Sequence, residues 1–144
     1  MKFVNIVVVL VIIIKIIVMN KEFIPYEQAL ALKELGFDEP CFGWWLMEGG
    51  GAKEMLVVEK CRVNSTGVCL APLYQQAFRW FREKHNLFSL VSVDQTMEPK
   101  FCYALSKYAD PYDWAILVFN SELYYTYEEA ELACLNKLIE LVKQ

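Results

Sequence analysis

His85 is the only histidine in this chain of 144 residues, so proton transfer near neutral pH rests on it or on carboxylates. Asp38, Glu39, Asp110 and Asp113 are the acids that could pair as an acid site or hold a hard cation. Each falls in a turn, where Asp and Glu solve local backbone problems, and turn chemistry is the preferred reading. His85 closes a predicted helix, where a cation interacts favourably with the dipole. A small hydrolase-like enzyme using His85, Asp110 and Asp113 is therefore an alternative, and it requires all three in one cleft. Serine-triad chemistry lacks a G-x-S-x-G elbow. No partners at ligand spacing accompany His85 for zinc. Gly49-Gly50-Gly51 leads into a predicted strand, and Lys53 is followed by Glu54, so a hairpin loop fits better than a phosphate cradle. The sequence thus assigns no catalytic residue, no metal and no cofactor.

The cysteines are Cys41, Cys61, Cys69, Cys102 and Cys134, an odd count without a C-x-x-C pair. That pattern disfavours a disulfide framework, a zinc ribbon or a thioredoxin-type site, and it fits small core hydrophobes in a reducing compartment.

Two features point to surfaces. Trp44 and Trp45 are adjacent in a predicted strand, and Tyr124 and Tyr125, adjacent just before the last helix, pose the same problem. Neighbours on a strand point to opposite faces, so helices cover both faces or large aromatics are exposed on one. Exposed Trp and Tyr are residue types that anchor protein interfaces, which makes these four the interaction candidates. Arg79, Arg82 and Lys84 gather beside Trp80, where Lys60 and Arg62 could join them as a nucleic-acid surface. Against that stand a net charge of −4 and a pI near 5.1. The α-β-β-β-α order from Pro72 onwards matches a double-stranded RNA-binding domain, yet Glu128-Glu129-Ala130-Glu131 occupies the helix start that such domains make basic. Nucleic acid is accordingly the weaker expectation.

The elements that must position these residues are readable in outline. Pro25 opens a helix through Leu35, closed by Gly36 in the left-handed position with Phe37 folding back onto Leu32. Strands follow at 42–47 and 55–63, then a helix over 72–85 with Leu73, Tyr74, Ala77, Phe78 and Phe81 as its buried stripe and Asn86 as its stop. Strands at 87–93, 100–108 and 114–119 have short, turn-rich connections and predict an antiparallel meander. Thr126 and Glu129 form a capping box for a last helix with Leu132, Leu135, Ile139 and Val142 on one stripe, flanked by Cys134, Leu138 and Leu141. The expectation is a single α+β domain over residues 20–144, an antiparallel sheet of about five strands with three helices in the order α-β-β-α-β-β-β-α.

Residues 1–19 are a different polymer, interrupted only by Lys2, Asn5 and Lys15. As a helix, residues 3–19 would span about 26 Å, a little under a hydrocarbon core of about 30 Å. Lys15 could snorkel to the headgroups, and no small-x-small cleavage site follows the run. Met19 is a second available start. Beginning there leaves 12 bases against 18 acids, a net −6. A start at Met19 implies a cytoplasmic protein, and a start at Met1 a membrane-anchored one. The sequence favours Met19, because Val, Ile, Lys, Asn and Phe are what translated AT-rich noncoding sequence yields.

Four motifs stand together in order: Phe23-Ile24-Pro25-Tyr26-Glu27-Gln28-Ala29-Leu30, Leu35-Gly36-Phe37-Asp38-Glu39-Pro40-Cys41, Ala71-Pro72-Leu73-Tyr74-Gln75-Gln76-Ala77-Phe78-Arg79-Trp80-Phe81-Arg82 and Tyr127-Glu128-Glu129-Ala130-Glu131. Through them the chain resembles a family of small uncharacterised proteins of gut bacteria and their phages, from about Phe23 to the C-terminus. The resemblance implies no activity and no site. It implies a start just before the Phe-x-Pro-Tyr-Glu motif, with the apolar lead as this chain's departure. The functional expectation is a non-enzymatic accessory domain of a phage or mobile element that binds an unidentified protein partner.

Overall fold

The computed structural model describes residues 6–11, 20–47, 54–57, 68–94, 100–110, 113–119 and 122–144. The fold is α+β. Residues 1–29 with 38–74 make one compact unit, and residues 30–37 with 75–144 make another. Residues 6–11 are helical, and no helix among the described residues is long and apolar enough to cross a membrane.

Helix α1 is Tyr26–Glu34, written largely in good helix formers. Gly36 ends it with φ 93°, a conformation that costs glycine nothing. The Gly36 N–H donates to Lys33 O at 3.1 Å and the Phe37 N–H to Leu32 O at 2.9 Å, the two bonds of a Schellman stop. Leu32 and Phe37 are both buried.

In the first unit, β1 (Trp44–Met47) lies between β2 (Glu54–Val57) and β3 (Val68–Leu70), antiparallel to both. The segment before α1 is laced to residues 72–74. Ile24 N–H donates to Pro72 O at 3.0 Å, Tyr74 N–H to Glu22 O at 3.1 Å, and Phe23 bridges Leu73. Phe23, Ile24, Cys41, Cys69, Leu70 and Ala71 are buried here. Gly43 is needed at the start of this sheet, since an added Cβ would lie 2.8 Å from Phe23 Cε1. The expected loop at residues 48–53 and the strand continuation through residue 63 lie outside the described residues.

The second unit holds α2 (Tyr74–His85) after its first residue, then β4 (Leu87–Asp94), β5 (Lys100–Asp110), β6 (Asp113–Phe119) and α3 (Tyr127–Lys143). The strands are an antiparallel meander in the order β4-β5-β6, with register shifts in the β5–β6 pairing. Asn86 turns the chain from α2 into β4 at φ 55°. Thr126 caps α3: the Glu129 N–H donates to Thr126 Oγ1 at 3.2 Å and the Thr126 N–H to Glu129 Oε2 at 3.3 Å. Phe81, Leu105, Leu135, Leu138 and Cys134 are fully buried, and α3 packs on β4 and β5.

Two expectations are corrected. The described strands form two three-stranded sheets instead of one sheet of about five, because β3 pairs with β1 while β4 to β6 close locally. Three residues of β3 are too few to show alternation in the sequence, so the order gains a strand before α2. The helix stripes also shift. Trp80 joins Ala77 and Phe81 in the interior of α2, with Leu73, Tyr74 and Phe78 only half-buried. In α3 the buried set is Ala130, Cys134, Leu135, Leu138 and Ile139, leaving Leu132 and Val142 half-buried.

Candidate functional site

Trp44 and Trp45 sit on the central strand of the first sheet, and both are half-buried. The Trp45 Nε1–H donates to the Ile24 carbonyl at 3.2 Å, and its ring meets Tyr26 edge-on with centroids 6.4 Å apart. A buried indole needs such an acceptor, so Trp45 ties the segment before α1 to β1. Its packing is accounted for within the unit.

Tyr124 and Tyr125 divide the roles. Tyr124 exchanges main-chain hydrogen bonds with Phe101 at 2.8 and 2.9 Å, adding a short bridge beside β5. Its ring stacks on Tyr103 at 6.3 Å, and its hydroxyl donates to Glu122 Oε2 at 3.0 Å. Tyr125 is 75% exposed, the most open large apolar side chain among the described residues. Its N–H donates to Glu129 Oε2 at 3.1 Å, and Lys100 Nζ lies 5.2 Å from its ring centroid. Tyr125 precedes the N-cap, where a hydrophobic staple would pack it onto the fourth helical residue. That residue is Ala130, fully buried and too short to receive the ring.

Leu123 and Tyr127, two residues to either side of Tyr125 in the sequence, are exposed as well. The Tyr127 ring meets Phe101 edge-on at 6.0 Å. Partial burial, then the Glu131 carboxylate, pushes the Tyr127 hydroxyl above its ordinary value, so it is neutral at pH 7. Glu122 and Glu128 are exposed alongside. Sequence reasoning missed Leu123 and Tyr127. The available signal was the capping box, which fixes Tyr125 and Tyr127 on either side of the cap.

Arg79, Arg82 and Lys84 are exposed on α2. Trp80, the ring that would stack on a base, is 3% exposed and packs against Phe37, Phe81 and His85 at 5.7, 5.1 and 4.8 Å. The basic residues therefore lack the stacking platform that the sequence placed beside them. Lys60 and Arg62 lie outside the described residues.

His85 presses its ring on Trp80, and its Nε2 has no hydrogen-bond partner among the described residues. Burial lowers its pKa below the ordinary histidine value, and Lys107 lowers it further. The β-register places Leu87 opposite Lys107 and Asp110 opposite Asp113, so the three candidates of the hydrolase reading share one end of the sheet. The side chains of Asp110 and Asp113 lie outside the described set. Asp38 is exposed in its turn, and Glu39 offers its main-chain oxygen to the Cys41 thiol at 3.3 Å. Among the described residues no group of three or more His, Cys, Asp or Glu could hold a metal ion.

The four described cysteines are thiols. Cys41, Cys69 and Cys134 are buried, and burial pushes the Cys134 thiol up to about 12. Cys102 is half-buried with its sulfur 3.3 Å from Ser92 Oγ, while Cys61 lies outside the described residues. No family model, no curated protein and no solved structure matches the chain.

Proposed function

We propose that this chain is a non-enzymatic accessory protein, of the phage or mobile-element kind its motifs resemble, that works by binding another protein. We place the binding surface on Tyr125, Tyr127 and Leu123 in the 20–144 domain, with Tyr124 as its support. The observation that carries this reading is the 75% exposure of Tyr125, a large aromatic just ahead of a capped helix with the Lys100 ammonium over its ring. Aromatics held rigid and open contribute most to interfaces, because little side-chain entropy is lost on docking. Glu122 and Glu128 make the surround acidic, which suits a partner face bearing arginine or lysine.

Affinity capture tests this reading with the full chain and its Tyr125→Ser variant, each expressed in the cells that natively encode it. The reading requires a protein retained by the parent chain and lost with the variant while the variant stays folded. Equal recovery with both chains would overturn it.

A further inference from the structure

Residues 6–11 form a helix in which Ile6, Val7, Val8, Val9, Leu10 and Val11 are each between 46% and 60% exposed. Six consecutive residues sweep about one and two-thirds turns, so every side of this helix is apolar and open. Soluble helices of this kind carry an apolar stripe that faces a core, with polar residues opposite. Here there is no polar side to leave in water. A groove on a partner, or a second copy of the same helix, would cover one stripe and leave the rest exposed. A surround of hydrocarbon covers all sides at once.

Against the Met19 start that amino-acid composition favours, we propose that the N-terminal apolar segment, residues 3–19, is part of the working protein and is an anchor embedded in a lipid bilayer. The sequence on either side of the described helix continues the same character: from Phe3 to Met19 only Asn5 and Lys15 are not apolar. In the sequence Lys2 precedes the run and Lys15 and Lys21 lie towards its far end, and lysines at such positions can reach headgroups with their stems in an apolar zone. Were the whole run helical, it would measure about 26 Å, close to the hydrocarbon thickness of about 30 Å. Three lysines without a carboxylate before Glu22 favour anionic headgroups. The anchor is independent of the Tyr125 surface and would hold that surface at a membrane.

Flotation of the full chain tests this, after detergent removal in the presence of mixed phosphatidylcholine and phosphatidylglycerol vesicles. The anchor predicts that the protein floats with the vesicles and stays there through molar salt and alkaline carbonate. A chain carrying both Val9→Asp and Ile13→Asp should lose partitioning by about a hundredfold or more, since acids are excluded from the hydrocarbon. The 20–144 domain should keep its circular dichroism in that variant. Protein that stays at the bottom of the gradient would overturn the proposal, and so would release by salt alone. Flotation undiminished by the two aspartates would also overturn it, as would a discrete lipid-free oligomer that shields the segment.

Discussion

The ammonium of Lys100 lies 5.2 Å from the centroid of the Tyr125 ring, yet Tyr125 remains 75% exposed. A cation over an open ring contributes about 0.5–1 kcal/mol, so the domain has little stake in this side chain. Trp45 is the contrast, bonded to Ile24 and packed on Tyr26. Tyr125→Ala should therefore cost under about 1 kcal/mol in urea unfolding. Trp45→Ala should cost about 2–4 kcal/mol, by losing the ring's packing and the donor for the Ile24 carbonyl. Equal costs would show that the two aromatic pairs do not divide between support and surface.

Gly43 offers a test of the first unit. A methyl there would press on the buried Phe23 ring at 2.8 Å and lie 3.3 Å from the Val57 carbonyl oxygen. The ring is only 4% exposed, so Gly43→Ala should destabilise the chain by about 1–3 kcal/mol. A midpoint unchanged from the parent chain would mean the ring can slide aside.

What the sequence makes legible here is local chemistry. Gly36 announces its own backbone conformation, Asn86 does the same, and Thr126 with Glu129 is a contact three residues long. Those signals place the helix ends and the cap on which Tyr125 sits. Sheet membership is different in kind. β3 has three residues, and its pairing with β1 joins segments separated by more than twenty positions. The same non-local pairing decides exposure: Trp44, Trp45, Tyr124 and Tyr125 are equivalent as adjacent aromatics in the sequence. Trp45 is half-buried through Ile24 and Tyr26, while the short alanine at position 130 gives the Tyr125 ring no staple partner. The inward turn of Trp80 likewise depends on Phe37, more than forty residues earlier.

His85 should make stability pH-dependent. Its folded pKa lies below the ordinary value of 6.5, so the unfolded chain takes up the proton first. Its contribution is complete above that value and is lost as pH falls through 6.5 towards the folded pKa. The parent chain should therefore lose more stability between pH 8 and pH 5 than His85→Phe does, both followed by urea midpoint. Phenylalanine keeps a ring beside Trp80 and carries no unpartnered nitrogen. Parallel profiles for the two chains would refute this assignment.

Thiol labelling should follow burial. In the folded chain iodoacetamide should modify Cys102 and leave Cys41, Cys69 and Cys134 unmodified, with Cys134 protected twice over, by burial and by a thiol pushed up to about 12. Peptide masses after brief native labelling check this. Early modification of Cys134 would contradict the packing of α3 on the second sheet.

The central claim is that Tyr125 meets another protein, and a photo-crosslinker tests it most directly. Benzoylphenylalanine placed at position 125, just before α3, is compared with the same group at position 140, an exposed glutamate in the second half of that helix. In the native cell, light should join position 125 to one discrete protein and leave position 140 unlinked. The absence of any adduct at position 125, or the same adducts from both positions, would contradict the account.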